Sequence, residues 1–438
     1  MRTFKEISKR VPAAAIGAIA LASLGCQSPL FQPKETPVAS IRDTPAVRLN
    51  YRYEADVPAP AQIAGQTAAD QRDPGVQADF DAARPMEILE RTVTSPDKKR
   101  ILVVYHRISD LPSEFRLDMY TSDGKLLRKL TSDTMAVHFP DTIVWSPDST
   151  LVAFVAMLRT AQPDASLALT PAPAAATPLS SPVPGENTNT ESTATPVAAA
   201  TPAAPTGILA FRTEQIYICG ADGGGVKALT QNEGLIYFYY AWSPDSSMLV
   251  SLAATAREWR YLEVISGGKG ELMVPQGRLR VVEKNGRERR LDDNLTAVRP
   301  VWSPDSSKVA EAFETQVRIY DAVGVNPTQA AIPLRNDLLI SSQAYDRNQQ
   351  RMLTNTNADA NAPESTPQPN IEPISTLPDE KLLVSYNPIV EVAWTADDLL
   401  YLQTAYLRRM KNEADSVRSF SRWHRLALSV QQAPTPKK

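Results

Sequence analysis

Residues 144–149 read Val-Trp-Ser-Pro-Asp-Ser, and the tetrapeptide inside them, W-S-P-D, is spelled again at Trp242 to Asp245 and at Trp302 to Asp305. Ser95 to Asp97 keeps the S-P-D core, and Trp394 to Asp397 reads W-T-A-D. A short motif recurring through most of a chain is the signature of a repeat architecture. An apolar or aromatic run precedes each copy and a β-type run follows it, as in Thr142 to Trp145 and then Leu151 to Val155. That order is strand, tight turn, strand. Proline at the second position presets φ for a type I turn, and the Ser and Asp side chains can hold nearby backbone N–H groups.

A second hairpin follows in each unit. Its turns are Asp123-Gly124, Asp222-Gly223 and Asn285-Gly286, pairs that accept φ > 0 cheaply, with a weaker turn at Gly324 in the fourth unit. Each unit is therefore expected to hold four antiparallel strands. Ser95 to Ser146 spans 51 residues and Ser243 to Ser303 spans 60, near the length of one propeller blade plus a loop. The two longer gaps, 97 residues to Ser243 and 92 to Thr395, each hold one insertion of different composition.

The fold expected is an all-β propeller of four-stranded antiparallel blades, five in number, with residues 337–353 as the candidate for a degenerate sixth. The repeated Trp145, Trp242, Trp302 and Trp394 each stand one residue before a turn, which suits packing between blades. Asp148, Asp245 and Asp305 then serve the turns. A propeller also needs closure, because an unclosed blade exposes a sheet edge. Residues 47–53 alternate apolar and polar with the period of a half-buried strand, and this segment is the expected closing strand.

These W-S-P-D units resemble the propeller repeats of TolB-type periplasmic proteins, which also occur in the propellers of prolyl oligopeptidase relatives. The resemblance covers about residues 85–429. The chain departs from the usual W-S-P-D-G in having Ser149, Ser246 and Ser306 where glycine is typical. It implies a propeller fold and partners among envelope proteins, and it transfers no contact residue. No α/β hydrolase region or G-x-S-x-G elbow follows the propeller, so peptidase activity is not carried over.

Arg2, Lys5, Lys9 and Arg10 open the chain, an apolar stretch from Val11 to Leu24 is too short to span a bilayer, and Gly25-Cys26 follows. That pattern resembles a bacterial lipoprotein signal over residues 1–25 with Cys26 acylated, and it implies an exported protein on the membrane, periplasmic or at the cell surface. The expected organisation is a flexible tether over 26–84, a propeller over 85–430 and a tail over 431–438. Residues 160–206 and 354–378 are low-complexity insertions rich in Pro, Thr, Ser or Ala, compositions that bury too little apolar area to offset chain entropy. Cys219 is the one other cysteine, so no disulfide joins the chain to itself once Cys26 is acylated.

Net charge is −3 and the pI about 5.8, which gives no global electrostatic reason to expect nucleic acid or an anionic membrane as the main partner. The one basic cluster, from Arg278 to Arg290, is interrupted by Glu283 and Glu288 and reads as a solvated hairpin. Chain direction places the short turns on one rim and the long connections on the other, so the loop-rich rim is the expected recognition face. Within it Arg257, Trp259, Arg260 and Tyr261 combine the aromatic and charged groups of interface anchors, set against the plainer reading of Trp259 and Tyr261 as the end of an extended strand. The histidines His106, His138 and His424 lack metal-ligand spacing, and no P-loop, dinucleotide fingerprint or Ca²⁺ loop is present, so neither metal nor cofactor is expected. Two function classes follow: a non-enzymatic, lipid-anchored module binding a protein or glycan of the envelope, or a carbohydrate-active propeller enzyme using channel carboxylates such as Asp141, Glu311 and Glu391.

Overall fold

The S-P-D turns work through paired side chains. In the computed structural model Ser146 Oγ donates to Asp148 Oδ1 (2.5 Å) and accepts from Leu151 N–H (2.9 Å), while Thr150 N–H donates to Asp148 Oδ1 (3.0 Å). The same pairing closes the turns at Ser95 with Asp97, Ser243 with Asp245 and Ser303 with Asp305. The structure describes residues 40–64, 72–158, 214–356, 388–418 and 420–431, and Ser40–Lys438 forms one compact unit. The expected signal segment, Cys26, the insertion over 160–206, nearly all of that over 354–378 and most of the tail lie outside the described residues.

Each turn joins the first two strands of an antiparallel sheet, and five such sheets make the blades of a propeller. The first sheet runs Glu87–Thr94, Arg100–Arg107, Arg116–Thr121, Leu126–Lys129. In the second, the inner edge is split into Met135–His138 and Val144–Trp145, followed by Leu151–Leu158, Gln215–Gly220 and Lys227–Ala228. The third holds Leu235–Trp242, Met248–Thr255, Arg278–Glu283 and Glu288–Arg290; the fourth holds Val301–Trp302, Lys308–Phe313, Gln316–Asp321 and Gln329–Pro333. The fifth has Ile389–Ala396, Leu399–Thr404 and Arg422–Val430, and its outer strand is Leu49–Val57 from the other end of the chain, Leu49 facing Val430 and Tyr53 facing Leu426.

Apolar clusters fill the spaces between sheets one and two (Leu102, Met119, Trp145, Phe154), two and three (Val155, Ile218, Tyr237, Trp242), three and four (Val250, Leu279, Trp302, Val309) and four and five (Ala310, Ile319, Trp394, Leu402). The repeated tryptophans are inter-blade core, each less than a tenth exposed. Trp145 Nε1 donates to Val93 O and Trp302 Nε1 to Ala241 O, each the carbonyl of the preceding sheet. Among the described residues no apolar cluster joins the fifth sheet to the first. A helix covers the first sheet's free face instead.

Among the described residues four helices punctuate the sheets: α1 (Ala61–Ala64), α2 (Pro74–Ala83), α3 (Ala256–Lys269) and α4 (Arg335–Thr356). Val76 and Phe80 of α2 pack on Leu89, Val103 and Tyr105 of the first sheet, and Arg84 lies over the Phe80 and Tyr105 rings while bonding Asp118 (2.7 Å). The stretch read as a flexible tether thus holds a strand and a helix: Asp73 caps α2 through Gly75 and Val76, a local signal that the Pro, Ala and Gln content had masked. The candidate sixth blade is likewise corrected. Residues 337–353 belong to α4, whose Leu338 seats in the cluster of sheets four and five.

Glycine's absence from the fifth position of the repeat has a structural reason. Ser149, Ser246 and Ser306 adopt φ of 60°, 62° and 63°, the left-handed region glycine enters freely. Each hydroxyl accepts a bond from the turn of the preceding sheet: Asp97 N–H to Ser149 Oγ, Asp148 N–H to Ser246 Oγ and Asp245 N–H to Ser306 Oγ, all 3.0 Å. The serine conformation costs about 1–2 kcal/mol, and a hydrogen bond of this kind contributes about 1 kcal/mol. Ser246→Gly, which loses the bond but relieves the strain, is therefore expected to unfold in urea within about 0.5 kcal/mol of the wild type. Ser246→Ala keeps the strain without the bond and is expected to lose about 1–2 kcal/mol.

Candidate binding face

First and third strands run toward the S-P-D and Asx-Gly turns, so those turns share one rim. The connections after second and fourth strands lie on the other. On that second rim the segment after Thr255 is neither loop nor extended strand but α3. Thr255 and Glu258 form a reciprocal capping box, with Glu258 N–H to Thr255 Oγ1 at 3.2 Å and Thr255 N–H to Glu258 Oε2 at 2.9 Å. Bonding from Arg278 holds the Glu258 carboxyl down at about 2, ahead of burial acting the other way. Gly270, at φ 70°, ends the helix. The spacing Thr255-x-x-Glu258 was the signal for this helix in the sequence.

The helix separates the four expected anchors. Trp259 is buried, its ring 5.7 Å from Phe139 and 5.6 Å from Phe238, and its Nε1 donates to Glu263 (2.9 Å). Arg257, Arg260 and Tyr261 stay on the exposed side, with Tyr261 at 65% exposure and Val264, one turn on, at 59%. The helix also reaches a partner that sequence reading missed. Past Gly270 the chain pairs with the short hairpin of Leu407–Arg408 and Val417–Arg418, through Leu272 N–H to Arg409 O (3.1 Å), Lys411 N–H to Gly270 O (2.8 Å) and Arg408 to Glu271 (3.3 Å). A connection of the third sheet thereby meets one of the fifth. Most of the exposed large apolar side chains among the described residues stand on this rim, including Ile108, Leu111, Leu158, Leu407 and Phe420 besides those of α3.

The carboxylates offered for catalysis occupy separate settings. Asp141 is 87% exposed and pairs with Arg91 at 3.4 Å. Glu391 is a half-buried residue of the fifth sheet's inner strand. Glu311 is fully buried in the fourth sheet, with neither oxygen hydrogen-bonded, and burial, with the Asp292 charge adding, pushes it well above the carboxylate range. Asp292 is engaged by Arg318 (2.5 Å) and by the Tyr320 hydroxyl. Burial alone would raise it, yet those bonds and the Asn294 N–H hold it below the usual range.

Among the described residues no group of His, Cys, Asp and Glu is placed to hold a metal ion. Cys219 is a buried core thiol, pushed up to about 12 by burial. His138 lies 3.3 Å from Glu214 inside the second sheet. His424 stacks on Tyr53 and bonds its hydroxyl (2.9 Å) and that of Thr404 (3.0 Å).

The basic hairpin of the third sheet is more organised than a solvated face. Arg278 pairs with Glu258 (2.6 Å), Arg280 with Glu288 (2.6 Å) and Arg290 with Asp293 (2.8 Å). Its tip, with Lys284, Arg287 and Arg289, lines a cleft of about 620 Å³ toward the fourth sheet on the short-turn rim.

No protein-family model matches the chain, and no curated protein does. Among solved structures the chain is similar to prolyl oligopeptidase B from Galerina marginata bound to a 25mer macrocyclization substrate, at 11% identity and a TM-score of 0.38, over 84% of this chain and 40% of that one. It is also similar to an oligogalacturonate lyase in complex with manganese (10%, 0.34, 78% and 66%) and to one from Vibrio parahaemolyticus (9%, 0.33, 77% and 65%). The chain thus spans about 40% of the length of the prolyl oligopeptidase. Prolyl oligopeptidase stands among the neighbours as the tetrapeptide suggested, while no TolB-type family does. The activities in those names belong to those proteins.

Burial lowers the His424 pKa to about 3, with the Arg422 charge assisting. A histidine at about 6.5 when unfolded then binds a proton in the unfolded chain first. Its contribution is complete above about pH 6.5 and is lost as pH falls toward 3. Stability is expected to drop by about 2 kcal/mol between pH 6.5 and 5 on this account. Urea unfolding of His424→Gln across that range should show a flatter slope than the wild type.

Proposed function

We propose that the chain is a non-enzymatic interaction module of the cell envelope, lipid-anchored through Cys26, whose helix-bearing rim docks a protein partner. The observation that carries this is the placement of exposed apolar side chains. Tyr261 and Val264 on α3, Leu272 beyond it and Leu407 on the facing hairpin belong to two segments bonded to each other across the rim. An apolar surface of that kind on an otherwise well-packed fold supports a protein interface. Arg257 and Arg260 beside Tyr261 supply the charged and aromatic mixture typical of anchors. A glycan would be held chiefly by polar groups and stacked rings, and the exposed aliphatic side chains favour a protein instead.

The enzyme reading finds less support. Glu311 is enclosed between sheets and Asp141 is open to solvent. A hydrolytic pair needs two carboxyls flanking one bond in an accessible cleft.

Crosslinking in intact envelopes followed by quantitative capture tests the module. The double substitution Tyr261→Asp, Val264→Asp is expected to lower the captured partners at least tenfold while leaving the melting temperature within a few degrees. Leu127→Ser, in the outer strand of the first sheet, is expected to leave them unchanged. Equal capture by all three proteins would remove the helix-bearing rim from the binding reaction. Anchoring is read separately: Cys26→Ser is expected to move the protein out of the membrane fraction after a wash in about 1 M salt, which screens surface charge but leaves acyl chains inserted.

A further inference from the structure

The cleft between the second-hairpin turns of sheets three and four is lined by three cationic side chains against one carboxylate. Lys284, Arg287 and Arg289 line it, with Met248, Val281 and Val323 as apolar wall. Arg289 donates to the carbonyls of Asp321 (3.0 Å) and Ala322 (2.7 Å), which fix its guanidinium, and among the described residues it has no carboxylate at ion-pair distance. Lys284 and Arg287 have only distant partners, Asp148 at 3.9 Å and Glu283 at 3.8 Å. Glu283 also lines the cleft and accepts from Asn285 (3.0 Å). Burial and the neighbouring Arg287 charge together lower the pKa of Arg289. An anionic group entering the cleft relieves that repulsion.

A second observation is independent of the cleft. Leu49–Val57 is a fourth strand, so it starts on the short-turn rim, and the residues before it are fastened there. Ala46 N–H donates to Asp321 Oδ1 (3.1 Å), and Val47 N–H to Thr328 Oγ1 (3.2 Å). Asp321 is the residue whose carbonyl holds Arg289. Around this point Val47 and Val325 are exposed, Val325 at 96%. Thirteen residues, Gln27 to Ala39, lie between Cys26 and Ser40. A segment of that length reaches at most about 50 Å. The strand that completes the fifth sheet is entered from the rim that carries the cleft and not from the one that carries α3.

We propose that the short-turn rim at sheets three and four is a membrane-docking surface, in which Lys284, Arg287 and Arg289 take the headgroups of anionic phospholipids while Val325 and Val47 meet the interface. This rests on the reading of Cys26 as the lipid anchor, and it turns the helix-bearing rim outward, toward a partner. Clustered basic residues attract anionic lipid additively, and one anchoring signal gains from a second.

The chain from Gln27 onward contains the whole compact unit and neither the signal segment nor Cys26, so its sedimentation with vesicles reports the folded surface alone. With phosphatidylcholine vesicles containing a quarter phosphatidylglycerol it is expected to sediment, to be released by salt, and to ignore pure phosphatidylcholine. Lys284→Gln with Arg287→Gln is expected to lower partitioning about 30-fold. Val325→Asp, on an exposed turn where folding is unaffected, should lower it in the same direction. Arg347→Gln with Arg351→Gln, exposed on α4 at the opposite rim, should leave it unchanged. Equal sedimentation with both vesicle types, or equal loss from the two rims, would overturn the proposal. Binding of inorganic phosphate without vesicle binding would overturn it as well and leave a free-anion site. Failure of the anchor itself is seen elsewhere, as Cys26→Ser protein retained in salt-washed membranes.

Discussion

Packing of one sheet's face against the next is the constraint on which the rest depends. A four-stranded sheet of this size has two apolar faces and no means of covering either alone. Sheets one to five are bound in sequence by apolar clusters, and the repeated tryptophans contribute to each of the four. The tryptophan indoles of the second and fourth sheets reach a carbonyl of the sheet before them, so the same residue that fills the gap also sets its register. At the turns, Ser149, Ser246 and Ser306 repeat this logic with polar atoms. They hold a strained backbone in exchange for a bond that crosses from one blade to the next.

Rigid stacking frees the connections for other uses. Because the sheets supply most of the core, α3 buries only Trp259 fully, and much of its surface stays outside. The same holds for the hairpin it meets. Function in such a fold is placed on segments that the scaffold positions but does not consume. The two rims differ accordingly: one is short turns pinned by Ser and Asp side chains, the other helices and apolar side chains.

Much of the propeller was legible because its turns are local. Trp145-Ser146-Pro147-Asp148 specifies its own geometry within six residues, and each of the four second hairpins carries a glycine at positive φ in its turn. The alternation of residues 47–53 pointed to the closing strand, which spans Leu49–Val57, although its burial does not alternate: Val47 and Tyr51 are exposed while Leu49 and Tyr53 are partly buried. What was illegible depends on distance or on competing local signals. Residues 337–353 carry apolar residues that suit a strand, yet helical spacing put Leu338 into an existing cluster. Thr255 and Glu258 announced α3, but a loop reading of Ala256–Gln276 passed over them. The pairing of α3 with residues 407–418 joins segments more than a hundred residues apart, and no local pattern encodes it. The charge of Arg278 to Arg290 was visible, whereas which of those side chains find carboxylates was set by Glu258, Asp293 and the fourth sheet.

The outermost strand of the fifth sheet gives the molecule a mechanical character. Leu49–Val57 lies along Arg422–Val430 with Leu49 opposite Val430, and the residues just ahead of it are pinned to the fourth sheet through Ala46 and Val47. Traction on that chain is met first by those two bonds and then by the ladder, whose rungs are loaded together, in shear, when the pull runs along the strand. The strand that completes the last blade is thus also the one best oriented to bear a load from whatever the protein is fastened to.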